Sequence, residues 1–158
     1  MNANPGSPVI YIDADACPVK DEAMKVAERH GLLLVFVANS GLRPSRDPMV
    51  RNVVVSGKFD AADDWIAENA KANDLAVTAD VPLAARLVSK GVHVLGPNGR
   101  AFSEQSIGMA LAMRNLGQEL RESGLSRGFN AAFTPKDRSA FLGELDRLVR
   151  RALASART

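Results

Sequence analysis

One cysteine, eight aromatic side chains (six Phe, one Trp, one Tyr) and a net charge of only +2 narrow the field before any motif is read. Cys17 has no partner, which excludes an internal disulfide and a cysteine-based zinc site. Aromatics at 5% leave too little for an open platform on which bases stack. The charge is too small to argue for nucleic acid by itself. The longest apolar run, Leu32 to Ala38, is far too short to span a bilayer, so no membrane association is expected. Residues 1–8 have neither a basic nor an apolar leader pattern, so a cytoplasmic location is expected. The chain also lacks a Gly-x-Gly-x-x-Gly or Walker-type loop, which ranks nucleotide-cofactor enzymes low.

At 158 residues, 46% hydrophobic and 24% charged, the chain has the size and balance of a single domain over 1–158. Residues 1–7 read as a flexible lead and 100–158 as a helical portion of that domain. Short β-branched runs alternate with helical patterns through the first two-thirds. Strands are expected at Val9–Ile12, Leu32–Ala38, Val50–Val55, Leu75–Thr78 and Val92–Leu95. Helices are expected from Pro18 to Gly31, over Asp60–Ala72 and over Pro82–Lys90. Asn39–Met49, with two prolines and a glycine, reads as a loop. Beyond Gly99 the pattern is helical, from Ser103 to about Glu122 and again from Thr134. There Thr134-Pro135-Lys136-Asp137 is a helix start, and Phe141, Leu145, Leu148 and Ala152 form one apolar stripe. Strands separated by such helices mean βαβ units and a parallel sheet. Ser123–Phe133, with two glycines and few anchors, reads as mobile.

What is abundant is aspartate in one kind of place. Asp13 and Asp15 follow the first expected strand, Asp60, Asp63 and Asp64 open the helix after the third, and Asp80 follows the fourth. In a parallel βαβ sheet the strands' carboxyl ends and the amino ends of the following helices share one edge. All six carboxylates therefore belong to one rim, where a divalent cation would offset their repulsion. Oxygen donors with no cysteine, and with His30 and His93 far away in the pattern, suit Mg2+ or Mn2+ rather than zinc.

Each acid also has a plainer reading. Asp60 is a good helix cap, and Asp63 three residues on completes a capping-box-like pair. Asp80 can cap the helix that Pro82 opens. On a helical wheel Asp64 points farthest from the Ala62–Trp65–Ile66–Asn69 face, which favours Asp63 as the ligand. Asp13 ends a buried central strand and is the hardest to explain structurally. His30 reads as serving its own helix's C-terminus and His93 as a core histidine. Cys17, near a helix start but with no arginine at phosphatase spacing, reads as structural.

The runs Tyr11-Ile12-Asp13-Ala14-Asp15-Ala16-Cys17-Pro18-Val19-Lys20, Val37-Ala38-Asn39, Phe59-Asp60-Ala61-Ala62-Asp63-Asp64-Trp65-Ile66, Thr78-Ala79-Asp80-Val81-Pro82-Leu83-Ala84 and Phe133-Thr134-Pro135-Lys136-Asp137-Arg138 resemble the bacterial YaiI/YqxD family. As a set they cover nearly the whole chain. That family looks like a distant relative of the PIN and NYN nucleases. The resemblance implies a three-layer α/β fold whose mainly parallel five-stranded sheet has the PIN-like order 3-2-1-4-5, with extra C-terminal helices. It implies Asp13 as the strand-1 metal ligand, Asp80 as the acid after strand 4, and Asp63 or Asp64 as the helix acid. Gly128-Phe129-Asn130 departs from the Gly-Gly-Pro stretch often found in relatives.

The leading expectation is metal-dependent phosphodiester cleavage, of RNA or another phosphodiester. Its metal ligands are Asp13, Asp63, Asp64 and Asp80, and its catalytic set Asp13, Asp15, Asp63 and Asp80, with Asp15 as ligand or water-orienting base. Asn39, Ser40, Arg43 and Arg46 are the candidate substrate contacts, although ordinary loop roles would account for all four. Residues 1–99 carry 10 basic and 12 acidic side chains and residues 100–158 carry 10 and 6, so a basic flank stands beside the acidic rim. Solvated helix surface gives the same count. A second expectation is a phosphatase resembling the haloacid dehalogenases, with Asp13 as nucleophile, Asp15 as acid/base, and Thr78 and Lys90 as the next two motifs. The acid pair that should follow the lysine is missing there. The third is a non-catalytic RNA-binding or scaffold protein. Oligomeric state has no signature in the sequence.

Overall fold

The computed structural model describes residues 6–16, 18–39, 41, 46–57, 60–109, 111–113 and 133–156. Five strands, β1 (Ile10–Asp13), β2 (Leu34–Ala38), β3 (Val50–Val54), β4 (Leu75–Val77) and β5 (His93–Leu95), run parallel in the order 3-2-1-4-5. The expected five-stranded order is present and is extended by a sixth strand, β6 (Ala101–Phe102), which pairs antiparallel with β5 at the edge. Two residues are too few for a period-2 pattern, so nothing in the sequence marks β6.

β1 sits between β2 and β4, with Ile10, Tyr11 and Ile12 in register on both sides. The chain winds outward from β1 through β2 to β3, then returns to β4 on the other side. The gap between β1 and β4 is therefore the point where the winding reverses. Every residue of β2 is buried, the signature of a central parallel strand covered on both faces.

Alternate strand residues feed two cores. Ile10, Ile12, Leu34, Phe36, Leu75, Val77 and Leu95 pack under α1 (Lys20–His30) and the final helix. Tyr11, Val35, Val37, Ala76 and Val94 pack under α2 (Ala61–Asn69), α3 (Val81–Ser89) and Ile107. Ile107 lies in α4, the helical backbone of 104–109 and 111–113. The expected continuation of that helix to Glu122 lies outside the described residues. Helices cover both faces, so the sheet is the middle of three layers.

The helices end where local chemistry stops them. α1 begins at Lys20, two residues after Pro18, and closes on Gly31, whose left-handed φ of 64° lets its amide reach the carbonyls of Ala27 and Glu28. The last helix, α5 (Pro135–Ala156), opens with the reciprocal bonds its sequence predicts. The Asp137 amide donates to Thr134 Oγ1 at 3.1 Å, and the Thr134 amide to Asp137 Oδ2 at 2.9 Å. Its stripe of Phe141, Leu145, Leu148 and Ala152 is buried, joined by Val149.

α1 and α5 are fastened at both ends. At the start Arg138 bonds Glu22 at 3.2 Å and the Pro18 carbonyl at 2.8 Å, with its guanidinium 4.9 Å from the Phe133 ring centroid. At the end Asp146 meets His30 at 2.8 Å and Arg29 at 3.1 Å. His30 thus serves a neighbouring helix rather than its own terminus. At the sheet's amino edge the buried Asp74 accepts from the amides of Val9 at 3.0 Å and Lys71 at 2.9 Å. Beside it Asn73 bonds His93 at 3.0 Å and the Ala152 carbonyl at 2.8 Å.

Candidate functional site

β1 ends in Asp13 at the reversal point, and its partly buried carboxylate is held from β4. Thr78, 2% exposed, donates its hydroxyl to Asp13 Oδ2 at 3.0 Å. Thr78 Oγ1 in turn accepts the Asp80 amide at 3.0 Å, so one buried hydroxyl couples two of the expected acids. Thr78 is itself fixed by its amide, which donates to the Leu95 carbonyl of β5 at 3.1 Å. Asp80 also caps α3, its Oδ1 accepting the Leu83 amide at 2.8 Å. Both readings of Asp80 meet there: it is a cap, and it faces the rim.

Asp15 lies in a short 3-10 turn, Ala14–Ala16, directly after β1. Its Oδ2 accepts the Asn39 amide at 2.9 Å, tying the exit of β1 to the exit of β2. Asn39 then reaches on to α2, where its Oδ1 accepts the Ala62 amide at 3.2 Å. The expected capping role of Asp60 is corrected here. Asp60 occupies the cap position of α2, but its side chain makes no capping bond. The acceptor comes instead from Asn39, 23 positions earlier in the chain.

That arrangement leaves Asp63 facing inward among like charges. Burial first, then the carboxylates of Asp80, Asp13, Asp60 and Asp64, push its pKa up to about 6 from 3.8. Burial also raises the Asp13 pKa. The Thr78 hydrogen bond works against that rise, while Asp15 and Asp80 add to it. Acids from β1, α2 and the β4–α3 junction therefore feel one another across the edge. Asp64 is different: it pairs with Arg86 of α3 at 2.8 Å, with both side chains about half exposed, 47% and 49%.

Of the expected substrate contacts, Asn39 has its amide and side-chain oxygen engaged within the protein, and Arg46 is exposed. Ser40 and Arg43 lie outside the described residues, as do Cys17 and Gly128-Phe129-Asn130. Lys90, which the phosphatase reading needs beside Asp13, is at the opposite edge, where its Nζ donates to the Ala67 carbonyl at 2.6 Å. His93 is also there, partly buried, so neither histidine approaches the acids. Among the described residues, no three histidine, cysteine or acidic side chains stand close enough together to hold one metal ion. The acids share an edge and a field, but not yet a coordination sphere. No described helix is long and apolar enough to cross a membrane.

Residues 11–151 match the model of the YaiI/YqxD family, described as "Uncharacterized BCR". Among curated proteins, the chain is 68% identical to UPF0178 protein mlr0875 of Mesorhizobium japonicum, over 95% of this chain and 97% of that one. It is 69% identical to UPF0178 protein Atu1478 of Agrobacterium fabrum, over 93% and 96% of the two chains. A third relative, UPF0178 protein R01393 of Rhizobium meliloti, is 70% identical over 90% and 98%. No solved structure matches the chain.

Proposed function

The chain belongs to the YaiI/YqxD family, a name that states no activity, and from the rim itself we propose a divalent-cation-dependent phosphodiester hydrolase acting on RNA. The observation that carries this reading is the convergence of Asp13, Asp63 and Asp80 on one edge, where burial first and then the neighbouring carboxylates push the Asp63 pKa up to about 6. Carboxylates gathered from three separate segments are unfavourable for an empty protein and useful for one that binds a cation.

The donor set fits a hard ion: every candidate ligand is a carboxylate oxygen, as Mg2+ and Mn2+ prefer. Asp13, Asp63 and Asp80 would hold it, and its charge would draw the three inward from their present separation. Asp64, already paired with Arg86, is the outer member of the set. When bound, such an ion acidifies water and stabilises negative charge on a phosphodiester. Thr78 holds Asp13 through Oδ2, so Oδ1 is the oxygen with which Asp13 would meet the ion. Asp15 uses Oδ2 for Asn39, and Oδ1 is the atom with which it would orient a water. The expected Arg46 contact is corrected: Arg46 adjoins Asp47, which stands beside Gly31 and Leu32 at the amino edge of the sheet, away from the acids.

Purified protein incubated with labelled single-stranded RNA and Mn2+ tests the reading. Cleavage is expected, dependent on added metal and abolished by Asp13→Asn. Cleavage that persists with chelator, or in Asp13→Asn, refutes it. Metal-independent RNA binding that survives replacement of the aspartates would favour the non-catalytic alternative.

A further inference from the structure

We propose that Asn39 is a positioning residue of the acidic rim: from the end of β2 it caps the first turn of α2 and so fixes where Asp63 stands. The inference rests on the cation reading for its functional half, and on hydrogen-bond geometry for the rest.

The first amides of a helix have no partner within it, and a side-chain oxygen normally satisfies one of them from the residue at the cap. In α2 that residue, Asp60, makes no such bond. The amide of Ala62, which is buried, is taken instead by Asn39 Oδ1 at 3.2 Å. Ala62 adjoins Asp63, so the bond anchors the one turn that carries the rim's helix acids. The anchor is firm at its other end. β2 is buried throughout and hydrogen-bonded to strands on both sides, and the Ala38 carbonyl holds the Val55 amide at 2.9 Å. The Asn39 backbone amide meanwhile donates to Asp15 Oδ2 at 2.9 Å. One residue thus fixes Asp15 directly and Asp63 through a single helical neighbour.

The residue type follows from the same electrostatics. A carboxylate here would cap as well, but it would add another negative charge beside Asp15 and the acids of α2. An amide supplies the oxygen without the charge.

The test uses the full chain, with Asn39→Ala, Asn39→Asp and, as a control far from the rim, Asp146→Ala. Two quantities are read: hydrogen exchange at the Ala62 amide, and Mn2+ affinity by calorimetry. Asn39→Ala should exchange Ala62 about fivefold to tenfold faster and bind Mn2+ at least roughly tenfold more weakly. Asn39→Asp keeps the acceptor and should retain protection at Ala62. Asp146→Ala, whatever its loss of stability, should leave Mn2+ affinity unchanged. Wild-type exchange at Ala62 in Asn39→Ala overturns the inference. So does faster exchange with undiminished Mn2+ affinity. A wild-type chain that binds no Mn2+ overturns the functional reading instead, and with it the functional half of this one.

Discussion

Asp63→Asn separates a rim built for a cation from one that is only crowded. Asp63 has an ordinary pKa of 3.8 when unfolded and about 6 in the folded chain, raised by burial and by its acidic neighbours. A raised folded pKa means the native state binds the proton more tightly than the unfolded chain. Its stabilising contribution is complete below pH 3.8 and is lost as pH rises through about 6. At pH 7.5 the ionised Asp63 is therefore a net liability. Moving a carboxyl from 3.8 to about 6 corresponds to about 3 kcal/mol at 1.36 kcal/mol per pKa unit. The group is only partly shielded from water, so roughly 1–2 kcal/mol of that is expected to appear in stability.

Asparagine has nearly the shape of a protonated aspartic acid and never ionises. Urea unfolding without metal should find Asp63→Asn more stable than wild type by roughly 1–2 kcal/mol at pH 7.5. At pH 3.5 the two should coincide. With Mn2+ the order should reverse, because only the wild type gains stability from the ion. A variant less stable than wild type at pH 7.5 would refute the electrostatic account. Equal stabilisation of both chains by Mn2+ would refute Asp63 as a ligand.

Three further substitutions probe the frame that holds the rim. Asp74→Asn replaces an oxygen that receives the amide of Val9 or Lys71 with an NH2 group, and urea unfolding should show a loss of about 2–3 kcal/mol. Gly99→Ala places a methyl 2.7 Å from the Ala140 carbonyl carbon, at a φ of 86°. The neighbour is helix backbone that cannot turn aside, so a loss of about 2–4 kcal/mol is expected in the same assay. The Asp146 pKa is lowered, chiefly by the His30 hydrogen bond and then by Arg29 against an opposing burial effect. Its stabilisation is present above pH 3.8 and lost as pH falls through the depressed folded value. Asp146→Asn should therefore be less stable than wild type at pH 6, by a gap that narrows towards pH 3; a gap independent of pH would refute the pairing.

Much of this frame was legible in the residues because each element had its own local signal. The all-apolar β2, the Gly31 stop and the Thr134/Asp137 start depend on neighbours within a few positions; the last two stand as read, and β2 begins at Leu34, two residues later than its apolar run. β6 has no local signal, since two residues gain their strand geometry only from pairing with β5. The rim was legible as a rim, because the direction of parallel strands alone puts Asp13, Asp63 and Asp80 at one edge. The bonds that organise it were not. Asn39 reads as a loop residue until α2 is laid beside β2, and Asp60 reads as the cap it would be in an isolated helix. Asp74, ahead of a strand, looks like any turn acid, yet it is the most buried carboxylate among the described residues. In each case the deciding partner is far away in sequence, beyond the reach of a reading based on spacing.

The two acid-rich ends of the sheet also show why repulsion is the more informative observation. Asp74 is buried, yet both its oxygens receive backbone amides, so its charge is answered from within the protein and it needs no ligand. Asp63 is less buried, yet burial first and then the carboxylates of Asp80, Asp13, Asp60 and Asp64 raise its pKa. The difference lies in what the fold places around each carboxylate: donors where the acid is structural, more acid where it is not. A sheet able to satisfy Asp74 so fully could have satisfied Asp63 by the same means. At the winding reversal, the place where parallel α/β sheets bind their ligands, the proposed cation would supply the positive charge that the protein does not.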